Sequence, residues 1–261
     1  MRIEFLTQDD PLYIVPFFEE FLSHYSGEFE VLQISCCPTM GNRSRVKMLK
    51  ELTALYGPLG VARLIARAGM SRVLGARRRE KGAKRYHTLA QLCRAHGVTY
   101  QKIGNPNDVS FVNSVRAREA DVLVSVACPF ILKEPLLALA PLGAINIHHA
   151  PLPRYKGMMP TFWQMFHGEK TVGVTIHSMV AKVDEGAALF QGEQKIEPGE
   201  SLDHLIQRSK RYGAHCMAKV LKQVGAGTAC ATPFDHSKGS YFTFPTLDEI
   251  REFHRRGLRA I

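Results

Sequence analysis

The residues with most to offer chemically stand in one run, Asn146-Ile147-His148-His149-Ala150-Pro151-Leu152-Pro153-Arg154-Tyr155-Lys156-Gly157. Residues 144–148 read as a strand, and residues 150–160 as a loop rich in Pro and Gly. Asn146 and His148, at i and i+2 on a strand, point to the same face. A strand end that presents an amide donor beside an imidazole can hold an oxyanion and protonate it. A second run, Gly173-Val174-Thr175-Ile176-His177-Ser178-Met179, leads through Val180–Val183 to Asp184-Glu185-Gly186. Asp184 precedes a glycine in a loop between two strands, so its carboxylate is free to approach the first run. Near His148 it would raise that residue's pKa and fix its tautomer. The bland alternative has equal weight on residue types alone. A lone histidine beside a strand is more often structural than catalytic, and an Asp-Glu-Gly triplet is usually a solvated turn.

The surrounding pattern supplies the elements that must position these groups. Residues 2–6 read as a strand, 12–22 as a helix with Phe17, Phe18, Phe21 and Leu22 at helical spacing, and 29–36 as a second strand. That opening predicts an α/β chain with a parallel sheet. Residues 89–96 are a helix stopped by Gly97, 98–103 a strand and 108–119 a helix. Residues 121–127 (DVLVSVA) form a continuous β-branched run, as in a strand buried on both faces. A short helix is predicted over 131–140 and another over 161–167, with strands over 172–179 and 188–196. Residues 201–224 make the clearest helix, capped by Ser201 and stopped at Gly225. Thr246 and Glu249 have the spacing of a capping box. Asn146 and His148 therefore sit where a buried strand ends, the usual ligand position in open α/β sheets.

Composition narrows the class. The chain has 261 residues, 45% of them hydrophobic, enough for one large domain or one domain with a small appendage. Its six cysteines show neither a CxxC pair nor a metal spacing, so they read as reduced core or near-core residues, and no metal site is predicted. The first residues, MRIEFLTQDD, are too acidic for a signal peptide, and no run approaches the roughly 18 apolar residues of a membrane span. A cytoplasmic protein is expected. The net charge of +10 is unevenly spread, because residues 43–85 carry +11 and the rest sums to −1. Two apolar series in that segment, interrupted at Gly57-Pro58, predict amphipathic helices with a cationic face.

Asn-x-His followed by Leu-Pro-Arg-Tyr-Lys-Gly resembles the signature of the formyltransferases that use 10-formyltetrahydrofolate. GVTIHSMVAKVDEG resembles the second motif of that family, with a histidine seven residues before an aspartate. Neither motif alone would be specific, but the pair is. The likeness runs from about Asp121 to Gly186, and more loosely over the first strand and the long helix. It implies a Rossmann-like, mostly parallel sheet with helices on both faces. It also implies 10-formyltetrahydrofolate as co-substrate, with no metal. Asn146 would donate to the formyl oxygen, His148 would stabilise the tetrahedral intermediate, and Asp184 would orient or charge His148. His177 is a secondary candidate. By the same resemblance the backbone of the stretch holding Val126, Ala127, Cys128, Phe130, Ile131 and Leu132 would line the pterin pocket, and Val180 and Val183 would cover it from the other side.

The chain also departs from the family pattern. Ala150-Pro151-Leu152-Pro153 replaces the usual Ser-Leu-Leu-Pro, and Cys128-Pro129 replaces an aromatic-Gly pair common in the pterin wall. The expected organisation is a catalytic domain over 1–235, with a basic helical insert at about 43–85, and a short extension over 236–261. That leaves no room for the full second domain that tRNA-acting members place after the catalytic one. The favoured acceptor is a small or conjugated amine, and methionyl-tRNA is the alternative. A hydrolase of the formyl carrier and a non-catalytic folate-binding protein are further alternatives. The basic insert could face tRNA or an anionic membrane surface, and its apolar-plus-arginine pattern fits the membrane slightly better. Oligomeric state is not legible in the sequence.

Overall fold

The computed structural model describes residues 1–38, 45–180 and 186–261, with the backbone alone at residues 45, 47 and 48. The elements run β1 (Arg2–Gln8), α1 (Val15–Tyr25), β2 (Glu30–Cys37), α2 (Arg45–Gly75), α3 (Leu89–His96) and β3 (Thr99–Lys102). They continue with α4 (Val109–Arg118), β4 (Val122–Val126), α5 (Glu134–Leu137), β5 (Ala144–His148), β6 (Lys156–Gly157) and α6 (Pro160–Phe166). The remainder is β7 (Thr171–Ser178), β8 (Ala188–Lys195), α7 (Leu202–Gly225), β9 (Tyr241–Phe242) and α8 (Leu247–Arg255).

Seven strands form one sheet in the order β3-β2-β1-β4-β5-β7-β8. It is parallel from β3 to β5, while β7 and β8 add antiparallel. The alternation of side chains along β1 and β4 explains why helices cover both faces. Phe5, Val122, Val124 and Val126 pack with α1, α3 and α7, whereas Leu6 and Leu123 pack with α4 and α5. Phe5 lies 5.3 Å from Phe18 and 5.2 Å from Phe21, ring centre to ring centre, both edge to face. Burying each such ring is worth about 1.5–3 kcal/mol, which fixes α1 against β1. This is the Rossmann-like architecture expected. The chain lays down β1, β2 and β3 in one direction and resumes with β4 on the other side of β1. That reversal opens a crevice at the carboxyl ends of β1 and β4.

Four details differ from expectation or go beyond it. The helix predicted over 131–140 shrinks to α5, because Asn107 ties the preceding backbone down. Its Oδ1 accepts from the Lys133 amide (2.8 Å) and its Nδ2 donates to the Ile131 carbonyl (2.9 Å). The predicted break at Gly57-Pro58 is a kink in α2, with Gly57 at φ 69°. The outward face of α2 beyond that kink is mainly aliphatic, with Leu59, Ile65, Met70 and Val73 all exposed, and Arg63 and Arg72 are exposed beside them. Cys230 is exposed and not near the core.

The C-terminal segment builds a second core. β9 pairs in parallel with β6, the Thr246/Glu249 capping box starts α8, and Phe253 of α8 stacks on Phe162 of α6 at 4.8 Å. No helix among the described residues is long and apolar enough to cross a membrane.

Candidate active site

A cavity of about 670 Å3 occupies the crevice at the ends of β1, β4 and β5. Strand pairing aligns its polar row. Ser125 of β4 faces Asn146 of β5, which faces His177 of β7, and His148 faces Thr175 one step along. Ser125, Asn146, His148 and His177 all line the cavity. The Asn146 Nδ2 donates to His177 Nε2 (3.1 Å), and His177 Nδ1 donates to the Ser178 carbonyl (2.9 Å). A carbonyl only accepts, so the Nδ1 of His177 carries a hydrogen. The second amide hydrogen of Asn146 is left for a ligand.

His148 is fixed through its other nitrogen. Its Nε2 donates to the Tyr155 carbonyl (2.8 Å), so Nε2 carries a hydrogen. The loop carrying that carbonyl is pinned at several points. Thr175 Oγ1 donates to the Ala150 carbonyl (2.7 Å) and accepts from the Leu152 amide (3.1 Å). The Tyr155 amide donates to Ser240 Oγ (2.9 Å), and the Lys156 amide to the Ser240 carbonyl (2.9 Å). The C-terminal segment thereby helps orient His148. Three non-glycine residues with left-handed φ cluster here, namely Ala127 (54°), Tyr155 (61°) and Met159 (52°). Such backbone costs of order 1–3 kcal/mol each and persists where the surroundings dictate it. His149 has the opposite character. It is buried, its Nδ1 meets Ser209 Oγ at 2.9 Å, and burial, with Lys210 and His148 nearby, pushes its pKa well down. It is a neutral structural histidine.

A family model described as formyl transferase matches residues 63–221, more than half of the chain. The chain belongs to the formyl transferase family. It is 32% identical to a methionyl-tRNA formyltransferase of Chlorobium chlorochromatii over 164 residues, covering 63% of this chain and 52% of that one. It spans about half the length of the curated relatives it matches. Among solved structures, glycinamide ribonucleotide transformylase 1 from Symbiobacterium toebii aligns with TM-score 0.59 at 16% identity, over 90% of this chain and 94% of that chain. The formyltransferase PseJ from Anoxybacillus kamchatkensis aligns with TM-score 0.50 at 16% identity, over 93% and 86% of the two chains. PseJ was solved with a formamido sugar nucleotide and tetrahydrofolate. These likenesses establish the formyl transferase fold.

Within that fold most of the expected positions gather at one cavity. Ala127, Cys128, Phe130, Ile131, Leu132 and Val180 line it, as do Asn146, His148 and His177. Val126 does not. It is fully buried in the larger core, because strand alternation turns it to the α1/α7 face with Val122 and Val124. Asp184 and Val183 lie outside the described residues.

Sequence reasoning missed the charged part of the formyl transferase cavity. Asp10, Tyr13, Tyr56 and Lys210 line it from three separate segments. Asp10 accepts from the Leu12 and Tyr13 amides (2.8 and 3.2 Å) and sits just before α1. Tyr13 donates to Asp203 Oδ1 (2.8 Å), which Arg67 of α2 grips with two nitrogens at 3.0 and 2.8 Å. Burial opposes the charge of Asp203, but the bonds from Arg67, Tyr13 and Gln207 outweigh it and hold its pKa below the usual range. Burial raises Asp10, and it lowers Lys210 to about 8 although Asp10 partly offsets it. Lys210 is 9% exposed and makes no hydrogen bond or ion pair among the described residues. One signal for it existed: Lys210 follows Leu202 and Ile206 on the apolar stripe of α7, where a lysine is out of place.

Proposed function

We propose that the chain transfers a formyl group from 10-formyltetrahydrofolate to the amine of a small or conjugated acceptor. The observation that carries this reading is the juxtaposition of Asn146 and His148 at the end of β5, on one cavity with an apolar wall from residues 127–132. That wall, with Met179, suits a flat pterin ring. In the reaction a C–N bond forms between acceptor nitrogen and formyl carbon, and the C–N bond to the folate nitrogen breaks. One proton moves from the amine to the leaving nitrogen. Asn146 donates its spare amide hydrogen to the developing oxyanion. His148, anchored through Nε2, stabilises the same charge and relays the proton through Nδ1. Asp184 assists by favouring the charged imidazole.

The walls from Tyr13, Leu52 and Tyr56 favour a compact acceptor. Lys210 supplies a cation that suits a phosphate or carboxylate on it. A second reading, methionyl-tRNA as acceptor, is favoured by the curated relative from Chlorobium chlorochromatii. The test is release of tetrahydrofolate from 10-formyltetrahydrofolate. Parallel arms contain no acceptor, charged initiator tRNA, or a panel of amino sugars and small amines. Release only with a small amine supports the first reading, and release only with tRNA the second. Release without acceptor points to a hydrolase. No release and no folate binding overturns the proposal.

A further inference from the structure

The second half of α2 is aliphatic on both of its sides. Its inward side carries Val61, Leu64 and Leu74 beside polar and small groups. Arg67 binds Asp203, Ser71 is buried, and a Cβ on Gly75 would meet Thr88 Cγ2 at 2.4 Å. Its outward side is aliphatic. Leu59, Ala62, Ala66, Met70 and Val73 recur at i, i+3, i+7, i+11 and i+14, the spacing of a single helical stripe. Leu59, Ile65, Met70 and Val73 are 66%, 63%, 61% and 68% exposed. Arg63 and Arg72, both exposed, fall on opposite sides of the stripe, about 60° and about 120° from its centre at 100° per residue. Beyond the helix Arg77, Arg78, Arg79, Lys81, Lys84 and Arg85 are exposed too, with Glu80 the one acid among them. None of Arg63, Arg72, Arg77 and Arg78 pairs with a carboxylate among the described residues.

We infer that this face docks on the surface of an anionic lipid bilayer. An apolar stripe with cations along its flanks is complementary to acyl chains below anionic headgroups, and arginine stems can reach those headgroups from the stripe's edge. Nucleic acid answers only half of the pattern, since the stripe has no aromatic ring on which a base would stack. A second copy of the chain would cover the aliphatic residues but would set arginine against arginine. The docking bears on the cavity as well. Leu52 and Tyr56, from the first half of the same helix, line it, so the bound protein would hold that wall beside the headgroups.

The experiment is sedimentation of the full chain with vesicles of phosphatidylcholine, alone or with about a third phosphatidylglycerol. The chain should pellet with the anionic vesicles and stay in the supernatant with the neutral ones. Replacing the stripe in a Leu59→Glu, Met70→Glu, Val73→Glu variant should weaken binding at least about ten-fold, and Arg63→Glu with Arg72→Glu should weaken it similarly. These side chains face solvent, so the melting temperature and folate affinity should hold, and both are measured alongside. Equal binding of parent and stripe variant overturns the inference. So does failure of the parent to bind anionic vesicles, whether it then binds an RNA oligonucleotide or self-associates through the stripe in light scattering.

Discussion

The two sides of the cavity are built in opposite ways. On the sheet side a row of neutral polar groups runs across three paired strands, Ser125 to Asn146 to His177, and backbone carbonyls settle the histidines. On the helix side three segments far apart in sequence bring Asp10, Tyr13, Arg67, Asp203 and Lys210 together, and side-chain charge joins backbone amides in organising them. Sheet register fixes the first side. The second side depends on α2, which grips it by a single bidentate ion pair.

The sharpest way to break this contrast is at the sheet side. His148→Ala should reduce kcat about 10²–10⁴-fold, and Asn146→Ala by about 10²–10³, with the fold intact. Tetrahydrofolate release measures the first quantity and thermal melting the second. An unchanged rate for His148→Ala would remove it from the mechanism and leave the row a structural device.

The same contrast governs what could be read without coordinates. The strand over Ala144–His148, the long helix behind Ser201 and the break at Gly57-Pro58 were legible, because each rests on local periodicity, capping or a breaker. Asn146 and His148 were legible because two residues on one strand share a face by geometry alone. Asp10 and Lys210 were not, since they are about 200 residues apart and meet only through tertiary folding. Val126 turns its side chain from the cavity for a related reason: a motif covers a whole stretch, while a strand sends alternate side chains away. The inward Arg67 and outward aliphatics of α2 escaped because hydrophobic periodicity finds a stripe but not the side on which the protein lies.

A smaller effect should come from the joint between sheet side and C-terminal segment. Gly157 has φ 91°, and a Cβ there would meet the Phe242 carbonyl oxygen at 2.3 Å. Gly157→Val should cost about 3 kcal/mol by forcing β6 away from β9. It should also lower kcat more than folate affinity, because the Tyr155 carbonyl that holds His148 lies two residues away. Denaturant melts and a kcat against Kd comparison test both parts. A loss of stability with normal kcat would mean that the C-terminal segment braces the loop without orienting the histidine.

The helix side makes the smallest prediction, and it is one of pH. The Lys210 pKa falls from an ordinary 10.5 to about 8 in the folded chain. Between those values the unfolded state binds more protons, so stability rises with pH from about 8 towards 10.5. The groups that act on or beside Lys210 are Asp10, which favours its charge, and His149, which is kept neutral. The full shift would be worth about 3 kcal/mol, and water entering the cavity should leave about 1–2 kcal/mol. Lys210→Met removes the buried ammonium. It should therefore be the more stable protein at pH 7, with the difference closing by about pH 10. Chemical denaturation of both proteins across that range isolates the lysine from other titrating groups, because they are common to the pair. If the two curves stay parallel, Lys210 titrates as a solvated lysine, and the helix side is held by the Arg67–Asp203 grip alone.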